Sequence, residues 1–550
     1  MGKYFHVWRQ PSAAGAVAKS SLSSELFVSV DGWKFHAYPF LVSEILLSVS
    51  LNRMQSSLKE KTLSGLFWQF LQKIIGQLFS FVVTVVLARL LMPEDYGVVA
   101  LASMFNVLVG IFVSGSMDAA LIQKKDADEL DYNTVFYSSL FMSFIIYGVI
   151  YFGSPYFAAM YHNQQICSVM RVLALTMPIG AFTMVQSAIV TRRMQFKKFF
   201  FVGIIGQIVS ASIGISMAYS SYGPWALVAQ QMVSGITNSC VLIYLVRWWP
   251  KLMFSWARFR ELFAFAWKKT AAGFIGTLCD QLKGYLIGFK YTAADLAFFN
   301  RGEGIPSMFN TNIAGTINTV LFPALSQLQG DYSAVKRGMR RAMMTSSYVL
   351  MPVFLGLAAI SDKVVLILYT EKWAPAIPFM QIACLTGGVI VLNSANLQSI
   401  FAIGKSGEIL KLEFYKKPVM ILLLFGGIYF GPIGISIAML FYSLYVLYMN
   451  TRPNKKYLKY SLTEQINDVK AGIILSSVMA VLVYLAGLYI ENDKLSVTIQ
   501  IIFGVIIYVG FSELFKPEAY SYVRDMALKL FYNKGKYSYD EHQQEDKKHN

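Results

Sequence analysis

Apolar residues run through this chain in windows of about 20, the length of helix that crosses roughly 30 Å of hydrocarbon. Fourteen such windows can be placed, at 63–92, 97–119, 134–157, 166–190, 199–218, 225–247, 262–289, 303–325, 339–360, 376–403, 408–428, 432–451, 470–490 and 496–515. Three of them keep their polar residues in register with a helix. Gln69, Lys73, Gln77, Ser80 and Thr84 share a face of the first. Lys269, Gly273, Gly276, Asp280, Lys283, Ile287 and Lys290 form a stripe on the seventh, and Glu303, Ser307, Asn310 and Asn318 lie on one side of the eighth. The pattern predicts an all-α integral membrane protein whose central helices turn polar faces toward one another.

Connections between the windows alternate in charge. One side holds 23 Lys and Arg residues, in clusters such as Lys124 and Lys125, Arg192 to Lys198, Lys336 to Arg341 and Arg452 to Lys459. The other side holds 5: Lys290, Arg301, Lys363, Lys372 and Lys494. The positive-inside rule then places the rich side and both termini in the cytoplasm, as an even number of spans requires. The net charge of +17 therefore records topology, and nucleic acid is not an expected partner. The composition agrees: 55% hydrophobic and 14% charged residues, with a mean hydropathy of +0.49.

Little here suits redox, metal or acid–base chemistry. Cys167, Cys240, Cys279 and Cys384 are scattered without paired spacing, and the five histidines avoid the apolar windows. Connections on the charge-poor side are short, so an external catalytic domain is not expected. The only Walker-like fragment, Gly404-Lys405-Ser406, has Ser399 where the loop glycine belongs. No enzyme activity and no cofactor are expected.

Comparing the chain with itself reveals an echo at a separation of about 200 residues. Ile75-Gly76 and Leu78 match Ile275-Gly276 and Leu278, and Asp95 matches Asp295. MRVLALT at 170–176 echoes MQIACLT at 380–386. Two homologous six-helix lobes with two further helices follow: 54–250, 251–452 and 453–515. They are preceded by an extension of no assigned function at 1–53, read as unstructured or as an upstream-start artefact, and followed by a cytoplasmic tail at 516–550. Paired bundles of this kind hold a substrate at their interface near mid-membrane.

Four segments carry a resemblance to a known family: SLKEKTLSGLFWQFLQKIIGQ at 57–77, LARLLMPEDYGVVAL at 87–101, MRVLALTMPIGAF at 170–182 and FFNRGEGIP at 298–306. They resemble the polysaccharide-transporter branch of the multidrug/oligosaccharidyl-lipid/polysaccharide (MOP) exporter superfamily, the Wzx-type flippases, most of all those of colanic-acid or teichuronic-acid type. The resemblance implies a MATE-like fold of about fourteen helices that flips undecaprenyl-pyrophosphate-linked oligosaccharide across the bacterial inner membrane. It also implies a polysaccharide polymerase and chain-length machinery as partners, beside the lipid-linked substrate and membrane lipid. FNRG at 299–302 departs from the Tyr-Asn-Arg-Ala-like string of many relatives.

For such a substrate, cations deep in the spans are the candidates, because phosphate needs a charge partner and charges at membrane depth need a reason. Lys73 and Lys283 are deepest, and Lys269, Arg89, Arg171 and Lys290 complete the candidate cleft. Asp280 and Glu303 are the candidates for coupling to a Na⁺ or H⁺ gradient or to the membrane potential. Local readings compete with these roles: Asp280 and Lys283 can pair along one helix, and Arg89 can end a helix whose successor is capped by Glu94 and Asp95. A multidrug exporter would call for carboxylates in the cavity, and a glycan polymerase or ligase for histidine and an external loop.

Overall fold

The computed structural model describes the backbone of 27–30, 33–36, 39–114, 116–525 and 528, and the side chains of 64–525 and 528 other than 66, 114–115 and 313–320. It divides into two units, 1–68 and 69–550. The first contains an antiparallel hairpin of β1 (Phe27–Val30) and β2 (Trp33–His36), with Phe27 opposite His36, and the start of helix α1 (Pro39–Leu90). The side chains of the 1–53 extension lie outside the described residues.

The second unit is helical. After α1 come α2 (Pro93–Ser114), α3 (Met117–Gln123), α4 (Glu129–Met160), α5 (Gln164–Ala174), α6 (Thr176–Arg192), α7 (Lys197–Tyr219) and α8 (Pro224–Val246). There follow α9 (Trp256–Lys290), α10 (Ala293–Ser326), α11 (Tyr332–Ala359), α12 (Ser361–Tyr369), α13 (Ile377–Ala402), α14 (Ser406–Gly427), α15 (Gly431–Leu458), α16 (Leu462–Gly487) and α17 (Asp493–Phe515). Apart from their ends, the predicted windows fall on helix, the second being divided between α2 and α3 and the fourth between α5 and α6. By length and apolarity, 11 stretches of the described residues can cross a membrane. Neither α9 nor α10 is among them, and α14 and α15 form one continuous apolar stretch, so apolarity alone does not set the number at fourteen. In α9 the reason is visible: Lys268, Lys269, Asp280 and Lys283 dilute it.

The repeat seen in the sequence recurs as geometry. The Asp95 carboxylate accepts from the Met92 backbone N–H at 3.1 Å at the start of α2, and 200 residues later Asp295 accepts from Thr292 N–H at 3.0 Å at the start of α10. Each closes the tight corner between two antiparallel helices and places a carboxylate at a positive helix end. These two corners meet. A Cβ on Gly97 would stand 1.9 Å from the carbonyl oxygen of Ala293, so α2 and α10 touch backbone to backbone where only hydrogen fits.

Helices α2 to α8 pack mainly among themselves, as do α10 to α15, while α16 lies along α11 and α17 along α16. The exception is α9. It opens the second lobe in chain order, yet it packs along α2, α3 and α4: Leu262 and Ala266 join Phe136, Val185 and Ile189, and Ile287 joins Leu101. Its first turns are tied there by charge, with Lys124 bridging Asp131 at 3.0 Å and Glu261 at 3.1 Å. Further pairs at this basic end join Lys336 to Glu464 and Arg340 to Asp468, at 3.4 and 2.9 Å. Lys416 lies inside α14, its side chain 5% exposed, paired with Glu413 and donating to Asn450 Oδ1 at 3.2 Å.

Candidate functional site

The polar face of α1 lines two cavities. Gln69, Lys73, Gln77 and Ser80, with Gln72 and Gly76, form one wall of a cavity of about 650 Å³ whose opposite wall is the start of α7, including Gln207. Carboxamides shape this space: Gln207 Nε2 donates to the Gly76 carbonyl at 3.4 Å, and Asn312 Nδ2 donates to Gln77 Oε1 at 2.9 Å. Lys73 is exposed to the cavity and is the one charged residue in its lining; no Asp or Glu is among those residues. Because α7 begins at Lys197, the cavity lies in the half of the bundle nearer the basic end. A second space of about 270 Å³ continues along α1 toward the opposite end, lined by Gln77, Ser80, Thr84 and Arg301.

The other candidate cations are not brought together with Lys73. Lys283 reaches across to α10 and binds Glu303, with its Nζ 2.5 and 2.8 Å from the two carboxylate oxygens and 5.0 Å from the centre of the Phe299 ring. This corrects the pairing with Asp280 suggested by spacing along α9. It also means that Glu303 is a neutralised carboxylate. Arg171 holds α5 to α4, donating to Ser154 Oγ at 2.8 Å and lying 4.2 Å over the Tyr151 ring. Lys269 is exposed on α9 and lines none of the described cavities.

Arg89 and Lys290 are both helix-end clamps. Arg89 donates to the carbonyls of Leu368 and Ile367 at 2.9 and 2.5 Å, at the negative end of α12. Lys290 donates to the Ile428 carbonyl at 3.4 Å and sits 4.3 Å over the Tyr429 ring. Lys372 returns a hydrogen bond to the Arg89 carbonyl at 2.8 Å, and the Trp373 indole donates to Ala88 O at 2.8 Å. These bonds secure the end of the bundle opposite the basic clusters, where the two corners touch.

Arg301 is counted by its place in the sequence among the few cations of the charge-poor side. It is held among rings from three elements, 4.4 Å from Tyr96, 5.2 Å from Tyr369 and 5.1 Å from Trp373. The whole string 299–303 acts at this junction: Phe299 under Lys283, Arg301 in its cage, Glu303 on Lys283. The departure at Gly302 has a steric reason, since a Cβ there would meet Ala376 O at 2.7 Å and the Met380 N at 2.9 Å as α10 crosses α13. Asp280 is exposed on α9.

The Lys283 and Glu303 pair has a direct test. Lys283→Glu or Glu303→Lys leaves two like charges facing each other in the bundle, and each is expected to lower the amount of folded protein and its transport several-fold. The double exchange is expected to restore both, as read by membrane level and export. Normal protein without export in the double variant would assign Lys283 to the substrate instead.

A bundle of apolar helices with polar faces, closed at one end by paired helix corners, marks a multi-pass membrane protein, and its fold is shared with solved MurJ and MATE transporters. The lipid II flippase MurJ in an inward closed conformation superposes with a TM-score of 0.64 at 15% identity, covering 82% of this chain and 98% of that one. An inward-facing multidrug resistance transporter of the MATE family gives 0.51 at 13%, covering 73% and 95%. The chain belongs to the polysaccharide biosynthesis protein family, whose sequence profile matches 86–378, just over half of its length. Among curated relatives, the succinoglycan biosynthesis transport protein ExoT of Rhizobium meliloti is 23% identical over 62% of this chain and 68% of its own. The lipopolysaccharide biosynthesis protein WzxC of Escherichia coli is 21% identical over 70% and 79%, and the teichuronic acid biosynthesis protein TuaB of Bacillus subtilis 20% over 65% and 74%.

Proposed function

We propose that this protein flips undecaprenyl-pyrophosphate-linked oligosaccharide repeat units across the bacterial inner membrane, with its basic end and both termini in the cytoplasm. The observation that carries this reading is the α1 cavity: a single ammonium, Lys73, set among carboxamides with no carboxylate in the lining. An ammonium is a point-charge partner for pyrophosphate, while Gln side chains both donate to and accept from sugar hydroxyls. An organic cation would find no counter-ion there. The cavity lies toward the cytoplasmic end and the opposite end is shut at Gly97 and Ala293, so substrate enters from the inner leaflet and leaves when α2 and α10 part. Outward movement of the anion is favoured by a potential negative inside. Asp280, exposed on α9, is the carboxylate open to a coupling Na⁺ or proton, because Glu303 is engaged by Lys283.

Depleting the protein in its native cell tests the reading. Lipid-linked oligosaccharide is expected to accumulate as surface polysaccharide disappears. Unchanged glycolipid with altered drug resistance would assign the protein to the multidrug branch.

A further inference from the structure

A third cavity, of about 470 Å³, lies within the first helical group between α2, α3, α6 and α8, apart from the Lys73 cavity. Its polar lining comes from Ser103, Asn106, Asp118, Thr176, Ser187 and Gln231, and no lysine or arginine is among the lining residues. Two of these groups await a partner: Ser103 Oγ and Asn106 Oδ1 are buried and make no hydrogen bond within the protein. Buried polar atoms are ordinarily satisfied, so two orphans on residues of one cavity wall set that wall apart. Two glycines in the wall, Gly110 and Gly180, have nothing within 4 Å of where a Cβ would stand. Their missing side chains keep the space open.

We propose that this cavity binds a neutral sugar ring of the transported glycan, separately from the pyrophosphate held at Lys73; the inference rests on the flippase reading above. The chemistry is that of hydroxyl recognition. A carboxylate such as Asp118 accepts from two neighbouring hydroxyls at once, Asn and Gln accept and donate, and Ser and Thr do both through rotating hydroxyls. The volume falls in the range of small-molecule sites and far exceeds that of one ion. Among the described residues no cluster of three metal-ligating side chains exists to hold a metal. Dividing the substrate between a cationic cavity and one lined by a carboxylate and uncharged polar groups makes the latter the place where glycans are distinguished, since a site built to hydrogen-bond hydroxyls rejects ligands that lack them.

The test uses the full-length purified protein, titrated with undecaprenyl pyrophosphate and with the same lipid carrying the oligosaccharide repeat unit of the producing cell, in choline chloride and in sodium chloride. Wild type is expected to bind the glycosylated lipid about tenfold or more tightly than the bare lipid, the yield of one or two satisfied hydrogen bonds. Asn106→Ala and Gly180→Val are expected to lose that preference and keep wild-type affinity for bare lipid. Asn106→Ala adds no bulk, so it reads the site even where Gly180→Val does not fold. Retention of the preference in Asn106→Ala overturns the proposal. Equal affinity of wild type for the two lipids overturns it and leaves the flippase reading intact, whereas binding of neither overturns both. Sodium-dependent stabilisation that Asn106→Ala abolishes assigns the cavity to a cation and also overturns it.

Discussion

Lys73→Ala is expected to lower export of the lipid-linked glycan by about 10- to 100-fold, the value of one lost charge-assisted contact to phosphate. Protein level in the membrane is expected to be unchanged, because Lys73 is exposed to its cavity and lies in no ion pair that holds helices together. Lys73→Arg keeps the charge and is expected to retain part of the activity, losing some because the planar fork replaces a compact ammonium. Lys269→Ala is the control: it removes an exposed lysine that lines none of the described cavities, and a change of less than about twofold is expected for such a surface substitution. Export measured against protein level in the same cells separates the two. Equal effects of Lys73→Ala and Lys269→Ala would deny the cavity its role.

The second large effect is steric. Gly97→Val puts a side chain where the Ala293 carbonyl oxygen already stands 1.9 Å from the Cβ position, with the carbonyl carbon at 2.3 Å. Both atoms are backbone, so neither can swing aside. Overpacking of this kind costs about 1–3 kcal/mol, enough to move a two-state equilibrium about 5- to 150-fold. The closed arrangement of the corners is therefore expected to lose its population and transport to fall more than about tenfold. Ser80→Cys, placed on the α1 cavity wall, reads the state. In the Gly97→Val background an impermeant maleimide added from the side opposite the basic end is expected to label it faster. Unaltered transport and labelling would show that the corners do not form the closed end.

The architecture was legible wherever one segment carries its own signal. Twenty-residue apolar windows name helices because backbone groups in lipid must be satisfied within the segment. The corner at 91–97 was legible for the same reason: Pro93 starts the helix, Asp95 caps it three residues on, and the bond is local. The polar face of α1 followed from a helical period and became the wall of two cavities. What the sequence hid were partners chosen by tertiary packing. Spacing along α9 offers Asp280 to Lys283, but the fold turns Lys283 toward Glu303, which lies 20 residues on and in the next helix. Arg89 finds carbonyls 278 and 279 residues away. Arg171 bonds back to the preceding helix. The candidate cations thus divide into Lys73, which lines a cavity, Lys283, Arg89, Arg171 and Lys290, which hold helices, and the exposed Lys269, a distinction carried by three-dimensional neighbours and by no local motif.

Flipping through the Lys73 cavity is tested most directly by reconstitution. The full-length protein is placed in vesicles with undecaprenyl-pyrophosphate-linked oligosaccharide, and an impermeant glycan-modifying reagent outside reports the fraction of lipid in the outer leaflet over time. Wild-type protein is expected to bring the inner-leaflet pool within reach of the reagent, and Lys73→Ala at equal protein density to leave it protected. Wild-type vesicles in which the inner pool stays protected, or Lys73→Ala vesicles as fast as wild type, would contradict the account.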